Sequence, residues 1–458
     1  MTIDAQHLAE VVQETARRLD VAGAQVTVWD GTELTQASTG IANAETGEEV
    51  SNDTLFQIGS TTKLYAAALA LQLVDEGRAD LDEPILSYLP DFRLADPEAT
   101  QTMTLRLLHS MSNGMDNGPY TDFGPGDDCV ARYVESIADI PQLFPPGTGF
   151  AYSNASTTLA GRITEVLTGL PWEAALRDRL LVPAGLDSTR SLYEDLIYRQ
   201  VAVGHIRADR AWKVTRPWQL PRSLCPGGST LCATASDLVR FGRIMLNEGR
   251  SENGNAVLSP SAVRIMHEPV VETPTKLLAQ RWCVGAYSKR WGDVTMFGHS
   301  GTNASSSSML LWAPERNVVI ASIANVPALG YPFAYAVFAE VLSSTLGFGL
   351  EPVAEPDLDI TIDGDRYIGR YIAHGISYDV AMEAGHLTLA IRSDHDKGIP
   401  ANGVRSSLSP LARDRFLPES VSVSGGRGWD VAFVDSEGTG RATHIANGVM
   451  VARRAASD

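Results

Sequence analysis

The first part of the chain shows two patterns of apolar and polar positions, one helical and one strand-like. Over residues 5–19, apolar side chains recur at helical spacing, which predicts one amphipathic helix. Residues 24–29 and 34–41 are predicted strands, and they flank Asp30-Gly31, a dipeptide that favours a tight hairpin. The chain therefore begins with a helix followed by two paired strands.

A second group of strand-like segments lies near residue 300, in mirror order. The predicted strands cover 282–289, 294–297, 307–312 and 318–323, and a predicted helix follows over 333–346. We expect both ends to share one antiparallel sheet covered by helices, which makes an α/β domain over residues 1–348. The residues between them, roughly 64–280, are predicted to form a mainly helical insertion.

The pattern changes after the second group. Residues 349–359 are rich in proline and acid and lack periodicity, so we predict a linker there. Short, partly alternating segments separated by Gly, Asp or Asn follow at 367–373, 377–382, 386–391, 431–434 and 442–452. Residues 360–458 are therefore expected to form a small all-β domain, either a lipocalin-like barrel or a sandwich.

Composition and charge narrow the classes of function. The 458 residues are 44% hydrophobic and 20% charged, with no apolar run of membrane-spanning length. The net charge of −18 argues against a nucleic-acid partner, and residues 1–359 carry 43 acidic and 26 basic residues of the total. The first residues lack a secretory signal, so we expect a cytoplasmic protein without a membrane partner. The four cysteines are expected to be reduced and mostly buried.

The first candidate chemical group is Ser60-Thr-Thr-Lys63, directly before an Ala- and Leu-rich predicted helix that stops at Gly77. Residues three apart at a helix start lie on one face, so the hydroxyl and the amine should meet. A buried lysine with a lowered pKa can take the proton of a serine nucleophile, and free N–H groups at the helix start favour the developing oxyanion. Only Lys63 among the five lysines has a serine three residues before it.

Two further segments carry candidate groups. In Tyr152-Ser-Asn154, the phenol can share a proton relay with Lys63, and the Asn154 amide can hold the substrate or the lysine. We place Gly298-His299-Ser300-Gly301-Thr302 between two predicted strands, where the Thr302 N–H can serve as a second oxyanion donor beside that of Ser60. Alone, each segment is more typical of an ordinary turn or helix cap.

Together, the order and spacing of these segments resemble the penicillin-binding-protein and class C β-lactamase superfamily. Supporting likeness lies at residues 105–114, 226–238 and 310–315, and the resemblance covers about residues 5–347. It implies an acyl-enzyme mechanism in which Ser60 is the nucleophile, Lys63 and Tyr152 form the proton relay, and Asn154 orients substrate. His299, Ser300 and Gly301 stand where many relatives have Lys-Thr-Gly.

That histidine argues against β-lactamase activity, because it is mostly neutral at pH 7 whereas lysine helps to hold a substrate carboxylate. With the added β domain, the layout resembles penicillin-binding-protein-type thioesterases that release and cyclise nonribosomal peptides, our first hypothesis. The donor would be a small-molecule or peptidyl substrate, free or bound to a carrier protein. A D-stereoselective peptidase or amidase, a β-lactamase-like esterase and a retired peptide-binding receptor remain open alternatives.

Other enzyme classes lack their sequence signatures. No Gly-x-Ser-x-Gly pentapeptide is present, and the nine histidines are scattered, so we expect neither an α/β-hydrolase nor a metal site. We expect no cofactor, because no dinucleotide or phosphate loop occurs. The nearly neutral C-terminal domain is expected to dock on the acidic catalytic domain and to roof Ser60, or else to be a passive appendage.

Overall fold

The computed structural model describes residues 3–349, 355–393, 404–419 and 429–456. Its helices are α1 Ala5–Leu19, α2 Thr62–Asp75, α3 Pro97–Thr102, α4 Leu105–His109, α5 Cys129–Ser136, α6 Asn154–Thr168, α7 Trp172–Leu176, α8 Val182–Ala184, α9 Tyr193–Leu196, α10 Ala235–Leu246, α11 Pro260–His267, α12 Gly330–Leu346 and α13 Gly364–Tyr367. In this part of the chain, no helix has both the length and the apolar character that crossing a membrane requires.

The strands of the first domain are β1 Gly23–Trp29, β2 Leu34–Asn43, β3 Glu48–Glu49, β4 Phe56–Gln57, β5 His205–Ala208, β6 Ala211–Val214, β7 Cys232–Ala233, β8 Val271–Glu272, β9 Arg281–Trp282, β10 Tyr287–Trp291, β11 Val294–Thr302, β12 Ser307–Ala313 and β13 Val318–Ala324. Nine of them form one antiparallel sheet in the order β3-β2-β1-β13-β12-β11-β10-β9-β8. The predicted α/β fold with one sheet built from both ends of the domain is thereby confirmed.

Helices cover both faces of this sheet. In β1, Val26 and Val28 point to the face on which α1 and α12 pack. The apolar stripe of α1 faces the sheet on that side. In β13, Val319 and Ala321 point to the opposite face, which α10 covers. Two short two-stranded sheets, β4–β7 and β5–β6, complete the strands of this domain.

The second domain is a closed barrel, so the sandwich alternative is wrong. Its strands follow one another around the barrel and are β14 Gly369–Ala373, β15 Ile376–Glu383, β16 His386–Ser393, β17 Val404–Ala412, β18 Arg415–Pro418, β19 Val431–Val434, β20 His444–Asn447 and β21 Met450–Arg454. Closure comes from antiparallel pairing of β14 with β21. Of the predicted linker, residues 350–354 lie outside the described residues.

Three strand predictions were wrong in detail. The segment predicted as one strand at 282–289 is split into β9 and β10 by a turn in which Gly285 has a φ of +81°. Residues 442–452 likewise form two strands around Gly448. The segment of His299 lies inside β11 and not between strands, because Gly301 and its neighbours pair with β12.

Candidate active site

Ser60 lies where a short 3₁₀ turn, Gly59–Thr61, runs into α2. The helix is almost wholly buried, which suits its run of alanines and leucines. Gly59 has a φ of +54°, and a Cβ there would lie 2.8 Å from the Thr302 nitrogen. Glycine at this position therefore lets β11 lie directly against the turn that carries Ser60.

Lys63 is buried beside Ser60, with 1% of its surface exposed. Its Nζ is 3.2 Å from Ser60 Oγ, 2.5 Å from Asn154 Oδ1 and 2.6 Å from the Gly227 carbonyl oxygen. All three partners are neutral, and burial lowers the pKa of Lys63 to about 7. A large fraction of this amine is therefore uncharged near neutral pH, and that form can accept a proton.

The three contacts suit a neutral amine. Its two N–H bonds can donate to Asn154 Oδ1 and to the Gly227 carbonyl oxygen, which leaves the nitrogen lone pair directed at the Ser60 hydroxyl. In that state the hydroxyl is the donor. The arrangement can thus accept the hydroxyl proton when Ser60 attacks a carbonyl carbon.

Tyr152 lies over the same pair, with the Lys63 nitrogen 4.9 Å from the centre of its ring. Burial raises the pKa of the Tyr152 phenol well above its usual value, although hydrogen bonding to the Ser60 side chain acts in the opposite direction. The phenol is consequently protonated at neutral pH. It is suited to pass a proton rather than to act as a preformed base.

Asn154 is the first residue of α6, which Ser153 caps through a hydrogen bond from the Ser156 N–H. Its Oδ1 accepts from Lys63, and its Nδ2 donates to the Tyr120 hydroxyl over 2.9 Å. Asn154 therefore orients the lysine in this structure, and its amide is held from both sides.

The backbone of β11 lies against the start of α2. A Cβ on Gly301 would be 2.7 Å from the Ser60 nitrogen and would overlap the Ile58 carbonyl oxygen. Ser308 of the neighbouring strand fixes this contact through its hydroxyl, which donates to Ile58 O over 2.7 Å. The turn that carries Ser60 and the end of β11 that carries Thr302 are therefore in direct backbone contact.

His299 is buried in an aromatic enclosure, with 2% of its surface exposed. The rings of Trp282, Tyr287 and Tyr152 have centres 5.4, 5.8 and 6.3 Å from that of the imidazole. Burial, and secondarily the charge of Lys63, lowers the pKa of His299 to about 3. The imidazole is uncharged at neutral pH and offers no cation to a substrate carboxylate.

A cavity of about 780 Å³ opens between the two domains beside this site. Phe144 and Phe150 line it from the first domain, and Val434 and His444 line it from the barrel. The Phe150 ring packs on Trp282, which also contacts Tyr152. Phe150 and Trp282 therefore connect the cavity wall to Tyr152.

The sequence did not indicate a functional role for three residues of the site. Gly227 holds Lys63 through its carbonyl oxygen, and the adjacent Gly228, with a φ of +113°, lets the chain pass the Ser60 nitrogen. Tyr120 comes from the loop after α4. A backbone carbonyl and a loop tyrosine leave no periodic or motif signal, so only the folded chain reveals them.

The eight residues selected from the sequence come from three segments that contact one another, and Ser60 and Lys63 lie at the start of α2. The others approach from the start of α6 and from β11. Among the described residues, no group of three or more His, Cys, Asp or Glu side chains could hold a metal ion.

Comparison with known proteins agrees with this architecture. The sequence matches the Beta-lactamase family over residues 8–336. Penicillin-binding protein 4 of Amycolatopsis lactamdurans is 35% identical over 360 residues, which are 78% of this chain and 94% of that protein.

Two solved structures extend the comparison. SurE, solved with D-Leu, has a TM-score of 0.79 and 27% identity over 98% of this chain and 99% of its own. D-amino acid amidase of Ochrobactrum anthropi SV3, solved with D-phenylalanine, shares the fold, with a TM-score of 0.60 and 22% identity over 71% and 92% of the two chains. The chain therefore belongs to the beta-lactamase family, within the β-lactamase/transpeptidase-like superfamily of serine hydrolases.

Proposed function

We propose that this protein forms an acyl-enzyme on Ser60, with Lys63 as the base. The observation that carries the proposal is the 3.2 Å contact between Ser60 Oγ and an amine that is buried among neutral partners. Ser60 Oγ attacks the carbonyl carbon of the donor, and its proton passes to Lys63 Nζ. The Ser60 and Thr302 N–H groups stabilise the resulting oxyanion.

Collapse of that intermediate breaks the bond to the leaving group. The leaving sulfur or nitrogen takes the proton from Lys63, directly or through the Tyr152 phenol, and an ester on Ser60 remains. An amine or water then attacks this ester, gives its proton to the same relay and releases Ser60. Attack by an amine within the acyl chain closes a ring, whereas attack by water gives the free acid.

For the donor, we propose a peptidyl thioester, free or carrier-bound, with a D-configured residue at the scissile carbonyl. Support comes from the likeness to SurE over nearly the whole of both chains, because SurE was solved with D-Leu. The neutral His299 also fits, since a thioester donor carries no carboxylate at its reacting end. The enzyme would thus be a thioesterase that releases or cyclises a nonribosomal peptide.

A D-stereoselective amidase is the second candidate. The fold shared with the amidase that was solved with D-phenylalanine favours it. Both candidates use the same acyl-enzyme and differ in the leaving group. A β-lactamase-like esterase and a retired receptor remain as outcomes of the test.

Intact-mass detection of the Ser60 adduct separates these possibilities. The panel contains matched D and L peptidyl thioesters, amides and simple esters of one acyl chain, with Ser60→Ala as the control. We expect the fastest acylation with the D-thioester and no adduct on the control. Fastest turnover of D-amides would favour the amidase, acylation by simple esters alone would favour the esterase, and no adduct with any donor would contradict the proposal.

A further inference from the structure

A buried aspartate connects the barrel to the first domain close to the candidate site. Asp116 has 1% of its surface exposed, and its Oδ2 accepts the backbone N–H of His374, in the turn between β14 and β15, over 2.8 Å. Its Oδ1 accepts the N–H of the next residue, Asn117, over 2.5 Å. Each carboxylate oxygen therefore holds a backbone donor, one from each domain.

The loop of Asp116 also holds the residues that begin α6. The Asp116 carbonyl oxygen accepts from Ser153 Oγ over 2.8 Å, and Asn117 Oδ1 accepts the N–H of Asn154 over 2.9 Å. Asn154 in turn holds Lys63 Nζ. A continuous series of hydrogen bonds and neighbouring residues thus joins the barrel to Lys63.

The barrel end of this connection is fixed by a second buried aspartate. Asp430 of the barrel is fully buried and accepts the N–H groups of Lys276 and Leu277 over 2.7 and 3.0 Å. Arg415 of the barrel pairs with the same carboxylate. Nearby, Thr275 donates to the Gly448 carbonyl oxygen over 2.7 Å. The barrel that presents the His374 N–H is therefore also held to residues 275–277 of the first domain.

We propose that Asp116 is a positioning residue through which the docked barrel sets the orientation of Asn154 and Lys63. The inference rests on the proposed function, because it assumes that Lys63 is the base. Its physical basis is the geometry of two acceptor oxygens that face two N–H donors. An asparagine would turn one N–H₂ group toward a donor, so the loop would have to move.

The experiment compares D116N with wild type in acylation by a small activated ester, measured as kcat, KM and the pH midpoint of kcat/KM. Misplacing a catalytic group by about 1 Å costs about a hundredfold in rate. We expect kcat to fall about 10- to 100-fold with little change in KM. The midpoint should move to lower pH, because Lys63 loses a well-placed acceptor for its ammonium form.

Matched variants separate this role from a merely structural one. Asp237 is also fully buried, and its carboxylate accepts from Ser188 N, Thr189 Oγ1 and Arg240 Nη1. D237N should lower thermal stability and leave kcat and the pH midpoint unchanged. N117A removes the acceptor for Asn154 without touching the barrel contact, and it decides the question if D116N does not fold.

Wild-type kcat and midpoint in folded D116N, or in folded N117A, would overturn the positioning role. The same shifts in D237N would also overturn it, because they would follow from any loss of a buried carboxylate. Failure of the proposed function would give a different experimental result. In that case Ser60→Ala would retain the turnover of wild type, whatever Asp116 does.

Discussion

The two domains differ in where they bury polar side chains. In the first domain, the buried polar side chains include Lys63, Asn154 and His299, which lie near one another at the candidate site. The described part of the barrel has a largely apolar interior, and its two largest buried polar side chains, Asp430 and His444, both bond to the first domain. Burying polar groups is costly, so their placement indicates chemistry in one domain and docking in the other.

The largest loss of activity is expected from substitution of Ser60 or Lys63. We predict that Ser60→Ala and Lys63→Ala each lower kcat/KM by about three orders of magnitude or more, with a double variant no worse than either, because the pair acts as a unit. Lys213→Ala removes an exposed lysine that pairs with Asp209 and should have no effect. Additive losses in the double variant would contradict the paired role.

Strand β11, which carries the proposed oxyanion donor Thr302, should be nearly as sensitive to substitution. Gly301→Ala would place a methyl group against Ile58 O and the Ser60 nitrogen, so β11 must move away. Loss of one oxyanion donor costs about 10²- to 10³-fold, which we expect in kcat. Among the residues that the structure describes, a methyl group in Gly349→Ala would meet only Ser343 Cβ, at 3.7 Å, so this variant should behave as wild type. Unaltered kcat in Gly301→Ala would exclude β11 as an oxyanion element.

The phenol of the relay should matter less than the lysine. Tyr152→Phe is expected to lower kcat about a hundredfold, because general acid–base assistance is lost while Lys63 remains. Tyr65→Phe is the matched control, since its buried hydroxyl has no hydrogen-bond partner among the described residues. Losses in Tyr152→Phe as large as those in Ser60→Ala would instead indicate that Lys63 and Tyr152 share the role of base.

The smallest expected effect is a gain in stability. Lys63 has a pKa of about 7 when folded and about 10.4 when unfolded, so its contribution to stability rises with pH across that window and is least favourable below it. Lys63→Met should therefore raise the free energy of unfolding by about 1 kcal/mol at pH 6. Denaturant unfolding that shows no gain at pH 6 would contradict a costly buried amine.

Local patterns in the sequence predicted much of the fold. The helix over Ala5–Leu19 and the strand Val431–Val434 agree with the structure to the residue, because the composition and spacing of their own residues mark both segments. Strands β17 and β18 were not predicted, and barrel closure depends on pairing between β14 and β21, which are far apart in the sequence. Such pairing depends on the whole domain and not on any one segment.

The same distinction between local patterns and contacts of distant segments applies to the candidate site. Ser60 and Lys63 are three residues apart, so helix geometry alone brings them together. The Asp116 contact to His374 spans 258 residues and involves a backbone N–H, so no residue type in the sequence marks it. The Gly227 carbonyl is hidden for the same reason.

The pH dependence of acylation tests the central claim most directly, namely that burial gives Ser60 a neutral lysine base. Stopped-flow measurement of Ser60 acylation by an activated ester, between pH 5 and 10, gives the pKa of the group that must lose its proton before Ser60 can react. The account predicts a rate that rises with pH and levels off, with a midpoint near 7. A midpoint near the ordinary lysine pKa of about 10.4, or a rate independent of pH over this range, would contradict it.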